Sequence, residues 1–214
     1  RVRDLGGEVR HVVRASIRVH ADSAEVDLGD EAVAARVVVV TAGAWAASVL
    51  DGLVPLPSLV VTQEQVVHFA PPDPAAVWPS FIHHAAPFRY GLHTPGEGLK
   101  IGGHHEGAVT SADERDFRLD PAIVASIEAY VREWVPGVEP GPQFGATCLY
   151  TTTASEDFVL DRVGPIVVGS PCSGHGFKFT PLVGQLLAGL AMAPDDSAAS
   201  AIAPRHRLAT FRSA

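Results

Sequence analysis

The stretch from Gly145 to Phe179 limits most strongly what this chain can fold into. It sets a cysteine in a short strand-like run, T-C-L-Y-T-T-T, then an aliphatic strand at Pro165–Gly169, then S-G-H-G-F-K-F-T and a helix start at Thr180-Pro181. Glycines between a strand and a helix N-terminus let backbone N–H groups approach a ligand, and the helix end favours partial negative charge. On spacing alone this is a weak small-ligand loop. A similar junction lies upstream. R-V-V-V-V-T at Arg36–Thr41 reads as a strand buried on both faces, running into Ala42-Gly43-Ala44-Trp45 and a short helix through Leu50. Such junctions are where α/β proteins place ligands, although Gly43 also fits a plain tight turn.

Around these two junctions the chain alternates short strands with turns. Gly6-Gly7 stops an initial helix end, and strands are predicted at Glu8–Val13, Ser16–Val19, Ser23–Leu28 and Glu31–Ala35. Pro55 and Pro57 mark a change of character. Leu59–Phe69 is a long strand with polar residues between aliphatic ones, and Phe81–His84, Phe88–Leu92 and Gly98–His104 extend an antiparallel or mixed sheet. Asp120-Pro121 supplies an N-cap and a first-turn proline, with Ile123, Ile127, Val131 and Trp134 at helical spacing, so Pro121–Val135 is an amphipathic helix. A last helix covers Pro181–Met192, with Leu182, Val183, Leu186, Leu187 and Leu190 apolar and with Gly184, Ala188 and Gly189 small enough to pack closely on a sheet. The tail from Ala193 lacks periodicity and is predicted to be frayed.

Composition bounds the function. With 214 residues, 47% hydrophobic and 19% charged, the chain suits one or two globular domains. A formal charge of −8 argues against nucleic acid or an anionic membrane surface as the main partner. No run approaches the ~18 apolar residues of a membrane helix, and no signal peptide is read. Two cysteines make no framework. A Cys148–Cys172 disulfide stays open, but reduced thiols in a cytoplasmic protein fit the sequence better. The opening R-V-R-D-L-G-G, which starts inside a helix end without Met, suggests the C-terminal part of a longer protein, or else a processed or engineered start.

Several residues offer chemistry. The adjacent pairs His83-His84 and His104-His105 do not make a metal site if they lie in strands, because neighbours then point to opposite faces; no H-E-x-x-H or C-x-x-C spacing supports one either. In G-L-K-I-G-G-H, alternation sets Leu99 and Ile101 on one face and Lys100 and Gly102 on the other. Lys100 is then either a solvated lysine or a lysine lining a cavity in which the glycines leave room for a ligand. Cys148 reads first as a small hydrophobe, with Tyr150 on the same side of its strand. No G-x-S-x-G, P-loop or G-x-G-x-x-G occurs.

Together, V-V-V-T-A-G-A-W, G-L-K-I-G-G-H, T-C-L-Y-T-T-T with E-D-F-V-L-D, and S-G-H-G-F-K-F-T resemble, in order and spacing, the C-terminal part of the monomeric sarcosine oxidase and N-methyltryptophan oxidase family of FAD enzymes. The resemblance runs from about Gly6 to Met192. It implies an α/β fold with α+β character in the substrate domain. An FAD-binding domain of the hydroxylase type would be split into 1–56 and 144–192, flanking a mixed-sheet substrate domain at 57–143, with 193–214 as tail. It implies Cys148 as the thiol bonded to FAD, Lys100 as the lysine that activates oxygen, and His104 and Tyr90 as active-site neighbours. Lys178 would bind the substrate carboxylate and lie by the cofactor. Thr41, Gly43 and Trp45, with Val9 less directly, would lie near the FAD, and the backbone of Gly174, His175 and Gly176 would pass the flavin. The implied reaction is oxidation of a secondary amine or N-methyl amino acid by O₂ to imine and hydrogen peroxide, in a monomer. Alternatives within the resemblance are an inactive C-terminal fragment and an FAD-dependent amino acid oxidase or dehydrogenase with another substrate. The chain departs from the family pattern in lacking the pyrophosphate-binding glycines, in carrying Cys172 where an aromatic residue is usual, and in having one residue fewer between Tyr90 and Lys100.

Overall fold

The computed structural model describes residues 1–11, 14–71, 73, 78–211; the last two residues of the predicted strand Glu8–Val13 therefore lie outside the described residues, and Glu8–His11 forms no regular structure. The chain divides into two units, Arg1–Leu59 with Thr153–Ala214, and Val60–Thr152.

Among the described residues, the first unit holds two sheets. One is an antiparallel meander, β1 (Ser16–Val19), β2 (Ala24–Asp27) and β3 (Ala32–Ala35). The other joins β4 (Val38–Val40) to the hairpin β11 (Val159–Val163) and β12 (Ile166–Ser170) in the order β11-β12-β4, with β12 parallel to β4. Each face of this sheet carries a core. Ile166 and Val168 pack with Val40, with Leu50 and Val54 just past helix α1 (Ala46–Val49), and with Leu208, whereas Val167 and Leu160 pack with Val183, Leu187 and Leu190 of helix α3 (Thr180–Met192). The strand buried throughout is thus β12, not the predicted Arg36–Thr41. β4 is shorter and pairs only with β12 among the described residues, so Val39 stays 43% exposed.

Two further expectations for this unit are corrected, and one strand is new. Hairpin partner β11 was not predicted, because its central Asp161 and Arg162 are charged yet buried. On α3, a methyl group at Gly184 or Gly189 would meet open space, Ala188 is exposed and Leu182 is 53% exposed, so the small residues do not face the sheet. The tail is folded. Short helical turns at Asp196–Ala201 and Pro204–His206 and helix α4 (Leu208–Phe211) bury Ala199, Ile202 and Leu208. Arg162 organises it, donating from Nη1 to Leu190 O and Ala193 O at 2.8 Å each, while Asp161 Oδ2 accepts from Leu208 N at 2.9 Å.

The second unit is a sheet with order β10-β5-β8-β7-β6: β5 (Val60–Phe69), β6 (Phe81–His83), β7 (Arg89–Thr94), β8 (Gly98–Gly102) and β10 (Pro142–Thr152), with β9 (Ala108–Val109) also paired to β5. The cysteine run belongs to the long strand β10, which lies in this unit throughout. Helix α2 (Pro121–Trp134) covers one face and matches its predicted start. Asp120 accepts from Ala122 N at 2.8 Å, and Gln65 on β5 brackets Asp120 by accepting from its N–H at 2.7 Å and donating to its O at 3.1 Å. Ile127 and Val131 pack on Val67, Phe69, Leu99 and Ile101. Full burial of each such side chain contributes roughly 1.5–3 kcal/mol. Trp134, predicted on the buried stripe, is instead 55% exposed and meets the His83 ring edge-on at 4.9 Å.

Candidate active site

Residues directly opposite in an antiparallel ladder share a face. With Leu99 and Ile101 committed to α2, the register collects the candidates on the other face. Cys148 lies opposite Glu64, Ala146 opposite Val66, Val66 opposite Gly102, and Gly102 opposite Tyr90. Lys100 lies between His68 and Leu92 on the same face. The second unit therefore brings Tyr90, Lys100 and Cys148 together with Glu64 and Tyr150. His104, beyond the end of β8 rather than inside it, joins them, its ring 5.6 Å from that of Tyr150 and 5.4 Å from Phe88.

The space over Gly102, expected to admit a ligand, is taken by the Tyr90 phenol, whose oxygen lies 2.7 Å from where a Cβ would stand. Tyr90 and Tyr150 are hydrogen-bonded to each other. Burial raises both phenols above the ordinary tyrosine range. Both are therefore neutral hydrogen-bonding groups at physiological pH. Lys100 is half-buried and has no hydrogen-bond or ion-pair partner among the described residues, which leaves its ammonium available to a ligand. His104 and His105 are not in extended chain. His105 has φ 57°, and the two rings lie 4.1 Å apart, so the opposite-face argument does not apply to this pair. Neither cysteine forms a disulfide, and Cys148 is exposed.

The remaining candidates lie in the first unit, most of them at one end of its parallel pair. Thr41 and Gly43 follow β4, and Gly174, His175 and Gly176 follow β12, so both loops leave the carboxyl ends of adjacent parallel strands, where open α/β sheets hold ligands. The β12 loop is sharply folded. His175 N and Gly176 N both donate to Cys172 O at 3.1 Å, and a methyl group at Gly176 would overlap Pro171 O, so only glycine fits there. Ser170, at the strand's end, has a buried hydroxyl without a partner among the described residues, a group a polar ligand would satisfy. Trp45 and Lys178 are exposed, the latter's Nζ 5.6 Å from the Phe179 ring centre. Val9 lies on a segment without regular structure. The orphaned hydroxyl and the glycine-tight loop fit part of a dinucleotide cofactor's site.

The chain is similar to known proteins along most of its length. A family profile described as FAD dependent oxidoreductase matches residues 1–190. The chain belongs to that family. It is 31% identical to the peroxisomal sarcosine oxidase of Homo sapiens over 99% of this chain and 56% of the relative. It is 35% identical to a monomeric sarcosine oxidase of Bacillus sp. (strain NS-129), over 73% of this chain and 43% of the relative. In fold it is similar to NikD, an unusual amino acid oxidase, with TM-score 0.72 and 23% identity over 85% of this chain and 51% of that one. The chain thus spans about half the length of the curated relatives it matches. No helix among the described residues is long and apolar enough to cross a membrane.

Sequence reasoning missed Glu64 and Ser170. Alternation along β5 put Glu64 on a face, but only the register with β10 and β8 sets it beside Cys148 and the tyrosines.

Proposed function

We propose that this chain supplies the substrate-side face and part of the cofactor site of an FAD-dependent oxidase of secondary amines, with N-methyl amino acids as substrates, giving imine and hydrogen peroxide. The observation that carries it is the convergence of Lys100, Tyr90, His104, Tyr150 and Cys148 on one face of one sheet. Bound FAD would supply the redox chemistry, accepting a hydride equivalent from the carbon beside the amine nitrogen and returning the electrons to O₂. Thr41, Gly43, Trp45 and the backbone of Gly174, His175 and Gly176 would hold the cofactor, with Val9 beside them, and Cys148 would anchor it covalently. Lys100, a fixed cation, would stabilise negative charge developing on oxygen. The neutral Tyr90–Tyr150 pair and His104 would orient the amine through hydrogen bonds, and Lys178 would pair with the substrate carboxylate. A monomeric cytoplasmic protein with a reduced Cys148 is part of the same proposal.

The test uses a protein of the relatives' length that carries this chain. Oxygen consumption is measured against N-methyl amino acids, proline analogues and D-amino acids. Turnover of the N-methyl compounds with stoichiometric peroxide is expected, and Lys100→Met slows the reaction of the reduced protein with oxygen by at least about tenfold. Yellow colour should survive denaturation and be lost in Cys148→Ala. Preference for D-amino acids would overturn the substrate class, and colour lost on denaturing the parent would overturn the anchor.

A further inference from the structure

His104 is carried by a five-residue loop, Gly103–Gly107, that interrupts one edge of β5. β8 pairs with β5 up to Gly102 opposite Val66, and β9 resumes with Ala108 opposite Gln63. Between these points the β5 backbone has no strand partner on this edge among the described residues, and side chains hold the loop from both faces of the sheet. From the candidate-site face, buried Glu64 uses Oε2 to accept from Glu106 N at 3.1 Å and Gly107 N at 3.0 Å, while its Oε1 accepts from Thr62 Oγ1 at 2.6 Å. From the α2 face, Arg89, with no exposed surface, pairs its Nη1 with Glu106 Oε1 and donates from Nη2 to Ser126 Oγ at 2.7 Å. The loop has no slack. A methyl group at Gly103 would overlap the Glu106 carboxylate, and one at Gly107 would overlap Gln63 O.

A buried carboxylate and a buried arginine are costly to desolvate, and both are spent here on a loop. We propose that Glu64, with the Arg89–Glu106 pair behind it, is a positioning residue that fixes His104 against Tyr150. Glu64 is not itself a catalytic residue, because its oxygens are occupied by the loop and Thr62. The effect on turnover rests on the amine-oxidase reading above; the effect on the loop does not.

The test compares Glu64→Ala, Glu64→Gln and, as a control of similar core loss on the opposite face, Val67→Ala. In the 214-residue chain, Glu64→Ala should speed hydrogen exchange at the Glu106 and Gly107 amides about tenfold and move the His104 ring proton resonances, while α2 amides keep their protection. Glu64→Gln, which keeps an acceptor oxygen, should stay within about threefold of the parent, and Val67→Ala should leave the His104 resonances in place. In the flavin-containing oxidase, Glu64→Ala should lower kcat about tenfold with Glu64→Gln restoring most of it. Unchanged exchange at 106 and 107 in Glu64→Ala, or an equal His104 shift in Val67→Ala, would overturn the proposal. Absence of oxidase activity in the parent would sink the functional reading and leave the exchange result to decide the positioning role.

Discussion

A methyl group at Gly176 would run into Pro171 O, whereas one at Gly184 on the exposed side of α3 meets nothing within 4 Å. The same substitution should therefore have opposite signs at two sites eight positions apart. Gly176→Ala must open the loop that follows β12, at a cost of about 2 kcal/mol or more. Gly184→Ala removes backbone entropy from the unfolded chain without a clash and should stabilise by roughly 0.5–1 kcal/mol. Urea midpoints at constant slope measure both. If Gly176→Ala unfolded at the parent's midpoint, the tight loop described at the end of β12 would be wrong.

Among the elements, the tail shows how much depends on single buried polar groups. Asp161 sits on β11, and its two oxygens accept from Arg162 N and Leu208 N at 2.9 Å each. Asp161→Ala leaves the Leu208 amide unpaired and should cost about 1–3 kcal/mol, with Asp161→Asn recovering most of it. Local release is read by trypsin cleavage at Arg205 and Arg207, expected to accelerate in Asp161→Ala while α3 stays protected; unchanged cleavage would mean the tail is held by its apolar contacts alone. The same residues explain what the sequence hid. Helix α2 was legible because its cap, proline and apolar spacing are local. β11 was not, because V-L-D-R-V looks half-exposed until its charges find partners more than twenty residues away. The tail was not, because its anchors Ala199, Ile202 and Leu208 follow no period. The candidate site divides likewise. Alternation separated Lys100 from Leu99 and Ile101, yet its company is set by cross-strand register, which a single strand does not encode.

At the scale of the whole molecule, the second unit has its own core, drawn wholly from residues 67–138, whereas the first unit's cores combine segments before Leu59 with segments after Thr153. Residues 60–152 should therefore fold alone with a cooperative urea transition, and residues 1–59 should not. All three tyrosines, Tyr90, Tyr130 and Tyr150, lie in that second unit, and burial raises each above the ordinary value of 10.0. Tyrosinate absorbance in the 214-residue chain consequently reports on this unit. Below pH 10 both the folded and unfolded states hold these phenols protonated, and the full stabilisation is present. Above it the unfolded chain releases protons that the folded chain retains, so stability falls as pH rises through the folded values. Tyrosinate absorbance should lag behind that of free tyrosine above pH 10 and then rise together with loss of the unit's structure by circular dichroism. A full tyrosinate signal near pH 10 from a chain that is still folded would show that the phenols on the candidate-site face are solvated, and would remove the Tyr90–Tyr150 pair from the proposed amine-binding role.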